Sequence, residues 1–376
     1  MCAVFAWGFG FYAHGIYLVE LQKARGWSTG LISSVITGHY VLGALLLPRI
    51  GAAIDRFGPR TVLLCGLAVT GVSLLLLPAV ESPWQLVLLY ALMAAGWNAT
   101  SVAPIAATVG QWFDRKRGLA LNLALSGATV AGLVVAPALL ALIPALGFAG
   151  AERLLVAIGL ALACSAVALF VRPGPQAPRP AASGRSRLAP LRQRHFWSIA
   201  APFACVLASQ VGFLTHLVPL IGDRAGVDPG LAIALNAFMA LAGRLVLGLI
   251  IDRFAPRPAA CISFLVQVGA IAVLAVAEGS AVIYAACAIY GFSVGNNITL
   301  APLIVQREYA AAEFAAIVAL STAVIQIFYA FGPGLLGLLR DAYGGYGVPL
   351  AVCMGLNLIA AAIILVRPRN RVSPIK

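Results

Sequence analysis

Along this chain apolar residues run in long stretches, broken by short segments where arginine, aspartate, glycine or proline collect. A helix that crosses a bilayer needs roughly 20 predominantly apolar residues. Twelve stretches meet that requirement: 1–20, 29–50, 61–80, 84–110, 118–145, 151–171, 196–221, 230–251, 258–277, 280–305, 313–339 and 346–366. The pattern predicts an all-α membrane protein of twelve transmembrane helices.

After the sixth span the series is interrupted by residues 172–195, RPGPQAPRPAASGRSRLAPLRQRH. This Pro-, Arg- and Ser-rich segment cannot build a packed core and reads as a flexible linker. It separates an N-terminal six-helix bundle (1–171) from a C-terminal one (196–366), which a short tail (367–376) follows. The bundles repeat one another at an offset of about 196 residues. Ile54-Asp55-Arg56-Phe57-Gly58-Pro59-Arg60 returns as Ile251-Asp252-Arg253-Phe254-Ala255-Pro256-Arg257, and Gly51 as Gly248. Ala124-Leu125-Ser126 returns as Ala319-Leu320-Ser321, and Pro104 and Pro137 as Pro302 and Pro333. Two parallel six-helix repeats suit a carrier whose halves rock about a site at mid-membrane.

Composition leaves no room for a soluble domain of useful size: 62% of residues are hydrophobic, 10% charged, and the mean hydropathy is +0.98. The net charge of +13 does not point to nucleic acid, because no continuous basic face or recognition motif accompanies it. Membrane orientation explains it. Arg49, Arg56, Arg60, Arg115, Lys116, Arg117, the arginines from Arg172 to Arg194, Arg253, Arg257, Arg307 and the basic tail residues fall in loops on one side. Lys23, Arg25, Arg153, Arg224 and Arg340 fall on the other. The positive-inside rule then puts both termini in the cytoplasm, in the inner (plasma) membrane of the cell. The N-terminus opens directly into apolar sequence without a charged leader, so a cleaved signal peptide is not expected. The seven cysteines fall mostly in apolar runs and read as small packing residues.

Gly51 to Arg60, with its degenerate copy between spans 8 and 9, resembles the loop motif of the major facilitator superfamily. Gln111-Trp112-Phe113-Asp114-Arg115-Lys116-Arg117-Gly118-Leu119-Ala120, then Leu125-Ser126-Gly127, and Gly243-Arg244 in span 8, resemble its monocarboxylate and oxalate/formate porter branch. The resemblance implies a major facilitator fold and a carrier of small organic anions, moved with a proton or in exchange for another anion. It also implies that Asp55 pairs with a basic residue at the end of span 4, here Arg115 or Arg117, in a latch. Arg56, Arg60, Asp252, Arg253 and Arg257 belong to the same gating motif, with Arg56 and Arg60 read equally well as positive-inside determinants.

Arg244 lies eight residues before Asp252, so it sits ~12 Å inside span 8. A deep arginine is costly and seldom without a role, and its guanidinium grips a carboxylate through two parallel hydrogen bonds. All twelve acidic residues fall in loops or at span ends, so no deep carboxylate is expected to neutralise it. Where some monocarboxylate porters carry an aspartate one turn earlier, this chain has Ala240, and span 11 lacks the lysine of oxalate-type porters. One cation favours a monocarboxylate over a dicarboxylate.

His14, His39 and His216 are the other ionisable groups inside spans and candidate proton carriers; His14 also lies near a basic residue of the related porters. Of the mid-span amides and tyrosines, Asn98, Asn296 and Tyr329 are the expected substrate contacts, because spans 4, 10 and 11 face the cavity in this family. The chain is thus expected to be a secondary transporter that works as a monomer, with membrane lipid, a small anion and a proton or counter-anion as partners, and without cofactor or metal. An enzyme is excluded by the lack of a G-x-S-x-G elbow or H-E-x-x-H pair. A proton-driven drug exporter of the same fold is the nearest alternative.

Overall fold

The computed structural model describes residues 1–113, 117–172, 189–222, 224, 226–250 and 253–366. Among them nine helices are long and apolar enough to cross a membrane, ten when the bent pair Cys2–Tyr12 and His14–Arg25 counts as one. Two of these are double. Thr29–Leu76 breaks at Gly58 (φ 78°, ψ 158°) and Gly127–Phe170 at Gly147 (φ 68°, ψ 166°), which brings the number to twelve. Both glycines adopt a region that side chains disfavour, and in each case the chain turns back into the next span without a loop.

The spans are α1 (residues 2–25), α2 (29–57), α3 (59–76), α4 (83–112), α5 (117–146), α6 (148–170), α7 (194–221), α8 (229–250), α9 (256–276), α10 (280–308), α11 (311–343) and α12 (347–365). Their starts follow local chemistry. The Ser28 hydroxyl accepts from the Leu31 amide at the head of α2, and ahead of Pro83 in α4 the Gln85 side chain accepts from the Ser82 amide (3.2 Å). Arg194 and His195, expected in the linker, already belong to α7. Residues 173–188 and the tail 367–376 lie outside the described residues.

The repeat is visible in hydrogen bonds. Arg60 donates to the Ala168 carbonyl at the end of α6 (2.8 Å), and Arg257, its counterpart, donates to the Ile364 carbonyl at the end of α12 (2.9 Å). The fold is a pair of parallel six-helix repeats.

The halves meet at the end remote from the arginine-rich loops. There the Gly30 amide donates to Asp341 (2.6 Å), the Gly334 amide to Thr37 (2.9 Å), and Ser33 bonds the His216 ring (3.3 Å). Gly15 on α1 abuts the Thr215 carbonyl of α7, and Gly132 on α5 abuts Ala237 of α8. The stretch Thr29–Leu76, α2 with α3, packs extensively along residues 332–343 of α11 and only sparsely along 311–329. The interface is therefore sealed at one end and diverges toward the arginine-rich end.

Candidate functional site

Arg244 is placed by its neighbours on α8. Gly243 lets α8 touch the Phe292 backbone of α10, as Gly291 and Gly295 of α10 do against Asn236 and Ala240. Small residues permit such backbone contact, which fixes the rotation of α8. Ala237 then faces Gly132 of α5, and Arg244, seven residues on, lies on the same stripe about 10 Å further along. Arg244 therefore looks across the interface into the N-terminal half. It lies six residues, ~9 Å, from Ile250, on the side of the span toward the divergent end. Ala240, where related porters carry an aspartate, is buried against Gly295.

Within electrostatic reach of Arg244 lies Tyr12, which sequence reasoning missed. Residues Gly8–Tyr12 form one π-helical turn, and α1 bends by 46° just beyond it. Such turns are frequent at functional sites. The half-buried Tyr12 ring lies over Gly132, where a Cβ atom would stand 2.8 Å from it, and the phenol interacts electrostatically with Arg244. The guanidinium is half-buried, and its Nε is buried without a hydrogen-bond partner. A cation with unspent donors, facing a phenol across the seam of two mobile halves, can receive an anion there.

The other expected residues are dispersed. His14 and His39 are fully buried in the N-terminal half, their rings 5.4 Å apart in a cluster with Tyr40, Tyr90 and Trp97. His14 Nδ1 meets the Tyr40 hydroxyl at 3.2 Å, and His39 Nδ1 the Tyr90 carbonyl at 3.3 Å. The Tyr40 ring lies 5.8 Å from that of Tyr329, so α11 reaches the same cluster from the other half. His216 stands apart at the sealed end, where Nε2 donates to the Pro333 carbonyl (3.0 Å) and Nδ1 meets the Tyr346 hydroxyl (3.1 Å).

Two amides have other surroundings. Asn98 donates to Ala94 in its own helix (2.9 Å) and packs against Gly43 of α2. Asn296 lines a cavity of about 290 Å³ between α8, α9 and α10, with Leu247, Phe254, Ser263 and Phe292. Its neighbour Asn297 donates to Gln210 (3.2 Å) and accepts from Ser263 (3.0 Å), tying α7, α9 and α10 together.

In the gating motif, Asp55, Arg56 and Arg253 are exposed, and Arg56 lies over the Phe57 ring. Asp252, Arg115 and the side chain of Arg117 lie outside the described residues. Arg257 is 1% exposed, not a free surface charge. It holds Glu308 in a bidentate pair (2.7 and 2.8 Å) and donates to Ser198 Oγ and the Ile364 carbonyl. It joins α7, α9, α10 and α12 within one half.

A further expectation changes. The acidic residues stand in loops or at span ends, but one of them is enclosed: Glu152, five residues past the Gly147 break, is fully buried and accepts a 2.8 Å hydrogen bond from Tyr17. Its position near a span end is as expected, but α1 and α4 cover it.

Residues 1–333 match the Major Facilitator Superfamily. Monocarboxylate transporter 11 of Mus musculus is 30% identical over 341 residues, 85% of this chain and 75% of that protein. Monocarboxylate transporter 13 of Bos taurus is 28% identical over 363 residues, 94% of this chain and 84% of that protein. An aspyridones efflux protein of Emericella nidulans is 25% identical over 372 residues, 95% of this chain and 71% of that protein. Among solved structures, a bacterial homologue of the human lysosomal transporter Spinster superposes with a TM-score of 0.74 at 16% identity, covering 96% of this chain and 94% of that one. The chain belongs to the Major Facilitator Superfamily, and it is a multi-pass membrane transporter of small molecules rather than an enzyme.

Proposed function

We propose that this transporter moves a small organic anion, a monocarboxylate, by alternating access, in symport with a proton or in exchange for a second anion. Arg244 carries the reading: a half-buried guanidinium with an unpaired Nε, on the interface stripe of α8 and facing Tyr12. A carboxylate fits its two-pronged donor set. The monocarboxylate transporters among the relatives support the same substrate class. The loop charges favour an inner (plasma) membrane location with both termini in the cytoplasm. In that orientation the described state opens inward.

Export of larger organic compounds by the same fold is the second reading, favoured by the efflux relatives and by Glu152, a buried carboxyl of the kind that proton-driven exporters use. The test is uptake of labelled lactate, pyruvate, formate and oxalate into proteoliposomes, with and without a pH gradient, for wild type and Arg244→Gln. The monocarboxylate reading expects uptake that the variant abolishes. Unchanged uptake in the variant sinks the anion site, and movement of a lipophilic cation without any carboxylate favours the exporter.

A further inference from the structure

Glu152 has no place in the anion site, yet it is completely enclosed. The Tyr17 hydroxyl satisfies Oε1, while Oε2 is buried without a hydrogen-bond partner, and no ion pair neutralises Glu152 among the described residues. A carboxylate removed from water without a cation is far costlier than the neutral acid, so this site holds a proton when closed. A structural carboxyl would be expected to have both oxygens satisfied.

The surroundings carry the inference further. His14 Nε2, His39 Nε2, the Tyr90 hydroxyl and Trp97 Nε1 are also buried without partners. These groups come from α1, α2 and α4 and form one cluster with Glu152. Tyr17 touches both Glu152 (2.8 Å) and the His14 ring (centroids 6.3 Å apart), and His14 packs on Tyr90 (5.7 Å) and His39 (5.4 Å). The titratable groups around Glu152 are thus Tyr17 and His14 on α1, Tyr90 on α4, and His39 on α2 behind His14; Arg153 points to the exposed side of α6. On the same helix Tyr12, the phenol that interacts with Arg244, precedes His14 by two residues and Tyr17 by five. From His14 a second branch passes through Tyr40 to Tyr329 of the other half.

We propose that Glu152 is the proton-binding carboxyl of this transporter, exchanging its proton with the central site through His14. Glu152 loses the proton and becomes a carboxylate whose Oε1 keeps the hydrogen bond from Tyr17, and His14 receives the proton at its unpartnered Nε2 through water admitted when the seal parts. The sealed end lies close by, Glu152 being five residues, ~7 Å, inside α6. Parting of the seal admits water to the carboxyl, and closure makes the charged form unfavourable. Ala240 stands where related porters have an aspartate, so the carboxyl for coupling is supplied from the other half. The inference rests on the symport branch of the function proposed above.

Purified full-length protein in proteoliposomes, given labelled lactate, tests it. A pH gradient of one unit, coupled one to one, supports about tenfold accumulation. In Glu152→Gln, which keeps an acceptor for Tyr17, accumulation falls to equilibration while exchange of labelled for unlabelled lactate persists; Tyr17→Phe slows accumulation, and Arg153→Gln behaves as wild type. Undiminished gradient-driven accumulation in Glu152→Gln overturns the proposal. Infrared spectra at neutral pH decide independently of substrate. A protonated-carboxyl band that shifts in heavy water and vanishes in Glu152→Gln supports the site, and identical spectra overturn it. If lactate is carried by no variant, wild type included, the monocarboxylate reading fails while the infrared result still judges Glu152.

Discussion

The Asp341 carboxylate near the end of α11 accepts a 2.6 Å hydrogen bond from the Gly30 amide in the first turn of α2. It thereby sets a negative charge from one half against the positive end of a helix dipole in the other. The contact exists only while this end is closed, so its energy belongs to the closed state alone. A hydrogen bond with a charged partner contributes about 1.5–3 kcal/mol. Asp341→Ala should therefore shift the equilibrium toward the state open at this end by roughly 10- to 100-fold. Spin labels on Ala24→Cys and Tyr343→Cys, in a background cleared of the native cysteines, should report a longer distance population. An unchanged distribution would show that the pair does not bias the gate.

Tyr12 and Arg244 form the seam of the proposed anion site. Tyr12→Phe keeps the ring over Gly132 and removes only the hydroxyl, so KM for the carried anion should rise about two- to tenfold, the effect of one hydrogen bond. The maximal rate should stay near wild type. Gly132→Val instead drives a side chain into Tyr12 and Ala237, and should stop transport without unfolding the protein, as thermal melts in detergent would show.

Arg257 and its repeat partner Arg60 should differ in effect although both bond the end of a span. Removing one member of a buried ion pair costs about 3–5 kcal/mol, so Arg257→Leu should lower the melting temperature markedly. Arg60 is exposed, and Arg60→Gln should change stability by no more than about 0.5 kcal/mol. Equal melting shifts would contradict the asymmetry.

Asp55 is exposed at the divergent end, and its expected latch partners, Arg115 and the Arg117 side chain, lie outside the described residues. Asp55→Asn should slow transport while leaving affinity for the anion unchanged, measured as turnover and equilibrium binding on the same preparation. Parallel losses of both would refute the latch.

The spans were legible because each is a run of apolar residues whose length is set by the bilayer, a property of single segments. Glu152 was misjudged because distance from a span end says nothing of which helices cover it. Arg257 looked like one more loop charge, since its carboxylate partner lies 51 residues away on α10. Asn296 and Asn297 are adjacent in sequence, yet one lines a cavity and the other knits helices together, a distinction set by helix rotation. Tyr12 escaped notice because a π turn changes which face a residue presents, and Gly8–Tyr12 reads as ordinary apolar helix.

The bonds from Arg60 to Ala168 and from Arg257 to Ile364 tie the third helix of each half to the rim of its sixth. Each bundle is fastened to itself rather than to its neighbour, and so behaves as a stiff lever. Departures from regular helix lie elsewhere: at the π turn of α1, beyond which the helix bends by 46°, and at Ser101 of α4, whose backbone leaves the helical region. The two clasps thus close each bundle on itself at its arginine-rich rim, the exposed one of Arg60 weakly and the buried one of Arg257 firmly.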